Sequence, residues 1–238
     1  MAGVVSPNFH LILVMLSSRL RQISDCLPSG VQLLAVSKGH TVSAIRSLAD
    51  FGQNDFGESR LQEALPKLNE LRGITNLRWH FIGRLQANKV RSVVRSFEFI
   101  HSVDSLRLAE RISRISGEEK CFPKIMLQVK FRDDPLKGGF APQQLMRDWS
   151  KLMKLPNLKI VGLMTMAPKN FNLDDRINLF SDCRALANQL HLPDCSMGMS
   201  DDWKEALQCG STWVRLGKTL FGECINHVNS HTDITKSD

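Results

Sequence analysis

The sequence of 238 residues contains no tyrosine, no Cys-x-x-Cys pair and no apolar run long enough to span a membrane. A membrane-spanning helix needs about 18 or more successive apolar residues, so we predict no membrane segment. The six cysteines, spread from Cys26 to Cys224, have no histidines at metal-ligand spacing. This pattern argues against a zinc site and a disulfide framework, and it favours reduced thiols in a cytoplasmic protein.

Blocks of like charge are also missing. The chain has 31 Lys and Arg against 24 Asp and Glu, a formal net charge of +7, but the two signs are interspersed. Nucleic-acid-binding surfaces concentrate basic residues, often with aromatic residues among them. We therefore expect small anions, and not nucleic acid, as partners. With 42% hydrophobic residues, the chain suffices for one large core.

The most apolar stretch near the start, residues 9–16, has the look of a signal-peptide core. No Lys or Arg precedes it, and no small-residue cleavage site follows it. The polar, helical continuation after Ser17 instead predicts a helix over residues 8–26 on the outside of the domain.

The rest of the chain alternates short apolar runs with helical patterns. The predicted strands are residues 33–36, 51–56, 79–83, 97–103, 124–129, 158–165, 194–199 and 212–216. Eight such units in one domain of this length predict a single (β/α)₈ barrel with an extra N-terminal helix. If the weak second and seventh runs were loops, six strands would remain and an open doubly wound sheet would be favoured. We divide the chain into a helix and lead-in (1–30), the barrel (31–223) and a polar tail (224–238).

The barrel places the carboxyl ends of its strands on one rim, where ligands bind. The residues expected there are Lys38, Glu58, Gly83, Asp104, Thr165, Ser200 and Gly217. Lys38 ends a short apolar run, and a lysine partly desolvated at such a place can lose its proton and attack an aldehyde. The simpler alternative is a strand that ends in a solvated charge.

Phosphate is the ligand that the last two loops suggest. Such barrels commonly bind it after strands seven and eight, through glycine N–H groups and a hydroxyl. Gly217, Lys218 and Thr219 fit this pattern. Ser200, followed by two aspartates, is either a further phosphate ligand or a plain helix N-cap.

An imine-forming lysine that faces a phosphate site is the arrangement that pyridoxal phosphate needs. Arg215 beside the pyridine nitrogen would keep that nitrogen unprotonated and weaken the ring as an electron sink. The alternative is that Arg215 pairs with a rim carboxylate.

Blocks of sequence around these positions resemble the pyridoxal phosphate homeostasis protein family, whose fold is the barrel domain of alanine racemases standing alone. In the family's order, they are LAVSK (34–38), FGE (56–58) with QE (62–63), HFIG (80–83) with LQ (85–86) and NK (88–89), GLMTM (162–166), SMGMS (196–200) and RLGKTLFG (215–222). Jointly these blocks are highly specific.

The resemblance implies that Lys38 holds pyridoxal 5′-phosphate as a Schiff base and that Arg215 meets the ring nitrogen. It also implies that Ser200, Gly217, Lys218 and Thr219 bind the phosphate. Two positions depart from the family. Ser59 stands where an asparagine is usual, and Lys218 replaces a hydroxyl residue, where it can serve as a phosphate cation.

The resemblance implies a non-catalytic carrier or regulator of pyridoxal phosphate in vitamin B6 homeostasis, with pyridoxal-phosphate-dependent apoenzymes as partners. We expect a monomer without turnover. The alternatives are an amino acid racemase and a phosphate-binding barrel without the cofactor. Racemases of this architecture use a second base, usually a tyrosine from an added domain, and this chain has no tyrosine.

Overall fold

The computed structural model describes residues 7–132 and 137–222. Eight parallel strands form a closed barrel in which each strand pairs with the next along the chain and the eighth pairs with the first. The strands are β1 (Gln32–Val36), β2 (Asp55–Glu58), β3 (Arg78–Phe81), β4 (Phe99–Val103), β5 (Lys124–Gln128), β6 (Lys159–Met164), β7 (Asp194–Ser196) and β8 (Trp213–Leu216). The predicted (β/α)₈ barrel is confirmed, and the open sheet is wrong.

The helices surround this sheet. They are α1 (Pro7–Cys26), α2 (Val42–Asp50), α3 (Leu61–Glu70), α4 (Val90–Ser96), α5 (Leu106–Glu119), α6 (Pro142–Leu152), α7 (Leu173–Gln189), α8 (Trp203–Gln208) and α9 (Lys218–Phe221). The helix predicted after β3 begins as a 3₁₀ turn, Ala87–Lys89, before α4. In the part of the chain that the model describes, no helix combines the length and the apolar content of a membrane span.

The second strand is where prediction and structure differ most. The prediction began it at Phe51, but Phe51 is the C-cap of α2 and remains 48% exposed. The strand begins at Asp55 and ends at Glu58, and both carboxylates are buried. The prediction from hydrophobicity placed this strand too early, because the polar residues at its two ends are buried by specific hydrogen-bond partners.

Two layers of apolar side chains hold the barrel together. The interior layer contains Leu34, Phe99, Met126, Met164 and Trp213. The outer layer lies between the sheet and the helices, where burial on both faces explains the continuous apolar strands.

The predicted N-terminal helix is confirmed as α1. Its Leu16, Leu20 and Ile23 are buried against residues of α2, β1 and β8. Residues 224–238, predicted as a polar tail, lie outside the described residues, and the division of the chain into three parts stays a prediction.

Candidate functional site

Lys38 lies in the turn after β1, at the rim formed by the carboxyl ends of the strands. Leu34 packs in the interior layer, whereas Leu33 and Ala35 pack against the outer helices. Because strand side chains alternate, Val36 at the end of β1 faces the same side as Leu34, and Lys38 follows two residues later in the turn. The Lys38 side chain is exposed, and its amine has no hydrogen bond or ion pair with the other residues that the structure describes.

The turn that carries Lys38 is closed by a hydrogen bond from His40 N–H to the Ser37 carbonyl oxygen, at 3.1 Å. Its third residue, Gly39, has a φ of 76°. A type II turn requires positive φ at that position, which explains the glycine. The His40 ring stacks on Phe221, with 4.2 Å between centroids, so the turn after β1 contacts α9, which follows β8.

The loops after β7 and β8 also meet. The Ser200 hydroxyl accepts a hydrogen bond from Thr219 N–H at 3.3 Å. Gly217 is packed so closely against β1 that an added Cβ would lie 3.2 Å from the Val36 carbonyl oxygen. Ser200, Gly217 and Thr219 are thus beside the turn of Lys38, with Lys218 exposed among them. Their role in phosphate binding stays a prediction.

Ser200 is not a helix N-cap, and that alternative is wrong. Helix α8 begins at Trp203, with Asp202 in the cap position. The Asp202 carboxylate accepts a hydrogen bond from Met199 N–H at 2.6 Å. Because this bond closes a turn before α8, the helix begins only at Trp203. The Ser200 hydroxyl therefore faces Thr219.

Arg215 is buried in the barrel wall and does not pair with a carboxylate of the described residues. Its Nη1 donates to the carbonyl oxygen and the hydroxyl of Ser196, at 2.6 and 2.7 Å. Its Nη2 donates to the Thr165 carbonyl oxygen at 2.9 Å. Burial lowers the pKa of Arg215 to about 10, so it is still a cation at neutral pH. Of its five N–H groups, one on Nε and one on Nη2 are left for a ligand acceptor.

A line of buried hydrogen bonds, which we call the interior chain, continues from Arg215 across the barrel. It consists of Arg215, Ser196, His101, His80 and Asp55. The Ser196 hydroxyl lies 3.0 Å from His101 Nδ1, and His101 Nε2 lies 2.9 Å from His80 Nδ1. His80 Nε2 lies 3.0 Å from an Asp55 carboxylate oxygen.

With both histidines neutral, every bond in the interior chain has one direction, set by the Asp55 carboxylate. Asp55 only accepts, so His80 donates from Nε2 and, when neutral, accepts at Nδ1 from His101 Nε2–H. His101 then accepts at Nδ1 from the Ser196 hydroxyl, which itself accepts from Arg215. Neutral histidines agree with burial, which lowers the pKa of each.

Arg78 completes the far end of the interior chain. Its Nη2 donates to the second oxygen of Asp55 at 2.6 Å, and its side chain is 42% exposed. Burial alone would raise the pKa of Asp55, but the bonds from His80 and Arg78 lower it overall.

A second polar group, which we call the Lys67 cluster, lies between α3 and the ends of β1 and β2. It consists of Lys67, Ser37, Glu58 and Glu63. The Lys67 ammonium donates to the Ser37 carbonyl oxygen at 2.9 Å, to Glu58 at 2.9 Å and to Glu63 at 2.7 Å. The Ser37 hydroxyl donates to Glu58 at 2.7 Å, and Gly39 N–H donates to Glu63. Burial raises the pKa of Glu58 despite the bonds from Lys67 and Ser37.

Lys67 is not predictable from apolar spacing, because the spacing of Leu61, Leu65, Leu68 and Leu71 predicts that these leucines form the buried face of α3. The buried face contains Leu61, Ala64 and Lys67, while Leu65 is 39% exposed. A lysine three residues after a buried alanine on an amphipathic helix was the available signal.

Comparison with known sequences gives a consistent result. The family model for the alanine racemase N-terminal domain matches residues 13–224. The pyridoxal phosphate homeostasis protein of Synechocystis sp. is 43% identical over 208 residues, which are 85% of this chain and 95% of that protein. The protein of the same name from Pseudomonas aeruginosa is 38% identical over 211 residues, 87% of this chain and 91% of that protein. This name describes homeostasis and not an enzyme activity.

Solved structures agree in fold. PipY of Synechococcus elongatus, solved with pyridoxal phosphate bound, has a TM-score of 0.84 at 43% identity and covers 87% of this chain and 100% of its own. The alanine racemase of Clostridium difficile, in complex with cycloserine, has a TM-score of 0.73 at 16% identity. The match covers 89% of this chain and 60% of the racemase, and it shows the shared fold alone.

Proposed function

This chain belongs to the pyridoxal phosphate homeostasis protein family, and from that premise we propose that it binds pyridoxal 5′-phosphate covalently through Lys38 and carries or buffers it without turnover. The observation that best supports this proposal is the hydrogen bond between Ser200 and Thr219 beside the turn of Lys38. It brings a hydroxyl and a glycine-containing turn next to an exposed amine at one side of the barrel rim.

The residues at the rim fit this cofactor. Pyridoxal phosphate supplies an aldehyde for a primary amine, a ring nitrogen that accepts hydrogen bonds, and a phosphate dianion. Lys38 offers the amine, and Arg215 has two N–H groups left for the ring nitrogen. The turn at Gly217 offers backbone N–H groups, with Ser200, Thr219 and the ammonium of Lys218 nearby. The absence of a Cβ at Gly217 keeps this turn against β1.

The absence of turnover is proposed from the bases that the rim offers. Moving a proton from an amino acid needs a second base on the reacting face. His80 is unsuited, because it is fully buried and both its ring nitrogens are engaged, by Asp55 and by His101. Arg215 keeps its own proton at neutral pH, so the ring nitrogen beside it would stay unprotonated and the ring would be a weak electron sink.

The test of binding is a visible spectrum of the purified protein with pyridoxal phosphate, before and after borohydride reduction. We expect a reducible visible band, and peptide mapping should place the pyridoxyl group on Lys38. Lys38→Ala should lose the covalent group and keep the fold, since Lys38 is exposed. A colourless protein would indicate a phosphate-binding barrel, and a label mainly on another lysine would refute the assignment of Lys38.

The test of turnover is the exchange of the α-hydrogen of L-amino acids in heavy water by the loaded protein. We expect exchange no faster than with free pyridoxal phosphate. Rapid exchange that disappears in Lys38→Ala would mean that the protein is an enzyme. If the protein is a carrier, pyridoxal-phosphate-dependent apoenzymes are the expected acceptors, and transfer to such an apoenzyme is directly measurable by its activation.

A further inference from the structure

The turn that contains Lys38 is stabilised by hydrogen bonds from side chains outside the barrel, and Lys38 itself makes none of these bonds. Lys38 and Gly39 are its two central residues, with Ser37 before them. Lys67 binds the Ser37 carbonyl oxygen directly, and it binds Glu63, which accepts from Gly39 N–H. One ammonium thus secures the backbone on both sides of Lys38.

The Lys67 ammonium and the Glu58 carboxylate that it binds are buried in the fold and do not form a surface ion pair. The Lys67 side chain is 9% exposed and that of Glu58 is fully buried. Lysine rarely occupies such a place unless its charge is paired. All three hydrogens of the Lys67 ammonium are used, on Ser37, Glu58 and Glu63. Because the Lys67 side chain is fixed by three hydrogen bonds, it also restricts the position of the turn that it binds.

We propose that Lys67 is a positioning residue for Lys38, which holds the turn of residues 37–40 in the geometry that brings the Lys38 amine to an aldehyde ligand. The proposal rests on the covalent role proposed above for Lys38. Lys67 does not touch the ligand in this account; it acts through the backbone of its neighbours in the turn.

The step that depends on this geometry is the condensation. The neutral Lys38 amine attacks the aldehyde carbon, a C=N bond replaces the C=O bond, and the oxygen leaves as water with the two amine hydrogens. No oxidant or reductant is needed. A displacement of about 1 Å in a reacting group can reduce a rate by about a hundredfold. Loosening the turn should therefore slow attachment without weakening the contacts that the rest of the ligand makes.

The experiment compares two ligands in Lys67→Met. The first ligand is pyridoxal 5′-phosphate, followed by the rate of borohydride-trapped attachment to Lys38. The second is pyridoxine 5′-phosphate, an alcohol that cannot condense, followed by equilibrium binding. We expect attachment to slow by about tenfold to a hundredfold, as for a misplaced reacting group. Binding of the alcohol should stay within about threefold of the original protein, because its phosphate and ring contacts are elsewhere.

A second variant guards against loss of folding, because Lys67→Met leaves the buried Glu58 carboxylate without its cation. Lys67→Met with Glu58→Gln keeps an acceptor for the Ser37 hydroxyl and removes that charge. The matched control is Lys124→Met, which removes the 2.9 Å ion pair with Glu98 and the ammonium over the Phe99 ring at the opposite end of the barrel. The control should attach pyridoxal phosphate at the original rate.

Two results would overturn the role of Lys67. One is an unchanged attachment rate in a folded variant, and the other is an equal loss for both ligands, which would indicate a structural role only. Failure of the unaltered protein to attach pyridoxal phosphate would instead refute the proposed function, so the two failures are distinguishable.

Discussion

The Lys67 cluster and the interior chain are both buried polar groups, but their charged residues are arranged differently. The Lys67 cluster pairs one ammonium with two carboxylates at the rim, where Glu63 is still 27% exposed. The interior chain pairs Asp55 with the partly exposed Arg78 at one end and connects it through neutral groups to Arg215 at the other. Each ion-paired group contains one partly exposed side chain, Glu63 or Arg78, whereas the fully buried centre of the interior chain is neutral.

Burying an isolated ion in a medium of low dielectric costs far more than burying a hydrogen-bonded neutral group. Near the rim, partial hydration reduces this cost, and ion pairs are tolerated. In the centre of the barrel, His80 and His101 carry the hydrogen bonds without charge, and both are fully buried. We therefore expect changes in the interior chain to affect stability first, and changes at the rim to affect ligand binding first.

The largest effect is expected from Asp55→Ala. This change leaves the His80 Nε2–H buried without an acceptor and removes the carboxylate that pairs with Arg78. Leaving a buried donor without an acceptor costs about 1–3 kcal/mol, and more where the lost partner is charged. Urea denaturation of the two proteins measures this difference in the free energy of unfolding.

The control for that change is Asp182→Ala, which removes the carboxylate of a surface ion pair with Arg132 at 3.1 Å. Both side chains are more than two fifths exposed. Such pairs contribute about 1 kcal/mol or less. Equal losses in the two variants would remove the distinction between interior and surface charges.

At the rim, Gly217→Val should affect the phosphate before it affects the fold. The new side chain would crowd the Val36 carbonyl oxygen and displace the turn of Gly217 to Thr219. Losing a hydrogen bond to a charged group costs about 1.5–3 kcal/mol. We expect a loss of this size in the binding of pyridoxal phosphate and a much smaller one for pyridoxal, which has no phosphate.

Titration of both ligands against Gly217→Val and Gly73→Val tests this prediction. Gly73 has no atom within 4 Å of an added Cβ and does not adopt positive φ, so its substitution should change neither affinity. Equal losses for pyridoxal and its phosphate in Gly217→Val would contradict the assignment of the phosphate site.

The same comparison explains which features could be predicted from the sequence. The barrel followed from continuous apolar strands, and Lys38 from the single charge at the end of one of them. The interior chain and the Lys67 cluster did not follow, because each pairs residues that are distant along the chain, such as His101 and Ser196. Apolar periodicity identifies a buried position but cannot indicate which polar side chain will find a partner there.

Errors at individual residues have the same physical origin. Phe51 was predicted to begin β2 because it is apolar, whereas Asp55 begins it because His80 and Arg78 bury its charge. Ser200 was given an N-cap as its alternative role, which the turn closed by Asp202 excludes. Both outcomes depend on side-chain hydrogen bonds that no local pattern encodes.

The smallest and most specific effect concerns pH. Burial lowers the pKa of His101 well below the ordinary value of 6.5, whereas the unfolded chain protonates near that value. The contribution of His101 to stability is therefore complete above pH 6.5 and declines as the pH falls below it. Each histidine that stays neutral in the folded protein contributes up to about 1.4 kcal/mol per pH unit to this decline. His80, whose pKa burial also lowers, acts in the same direction.

A variant of an interior histidine and a variant of a histidine at the rim separate the contributions of individual histidines to this pH dependence. His101→Gln keeps a donor for His80 and an acceptor for Ser196 but cannot be protonated, so its stability should fall less steeply from pH 7 to pH 5 than that of the original protein. His40→Gln should change the slope less, because His40 is only half-buried and its pKa is lowered less markedly.

Other charged groups do not obscure this comparison. Asp55, Arg78 and Glu98 surround His80, and His80 and Arg215 act on His101; all except the substituted residue are common to the proteins compared. Asp55, with its lowered pKa, gains protons in the folded protein only below its ordinary value of 3.8, outside the range measured. Glu58, whose pKa is raised, opposes the decline, but it does so equally in each protein. If urea denaturation across this range gave the same slope for His101→Gln as for the original protein, the neutral histidine at the centre of the interior chain would be refuted.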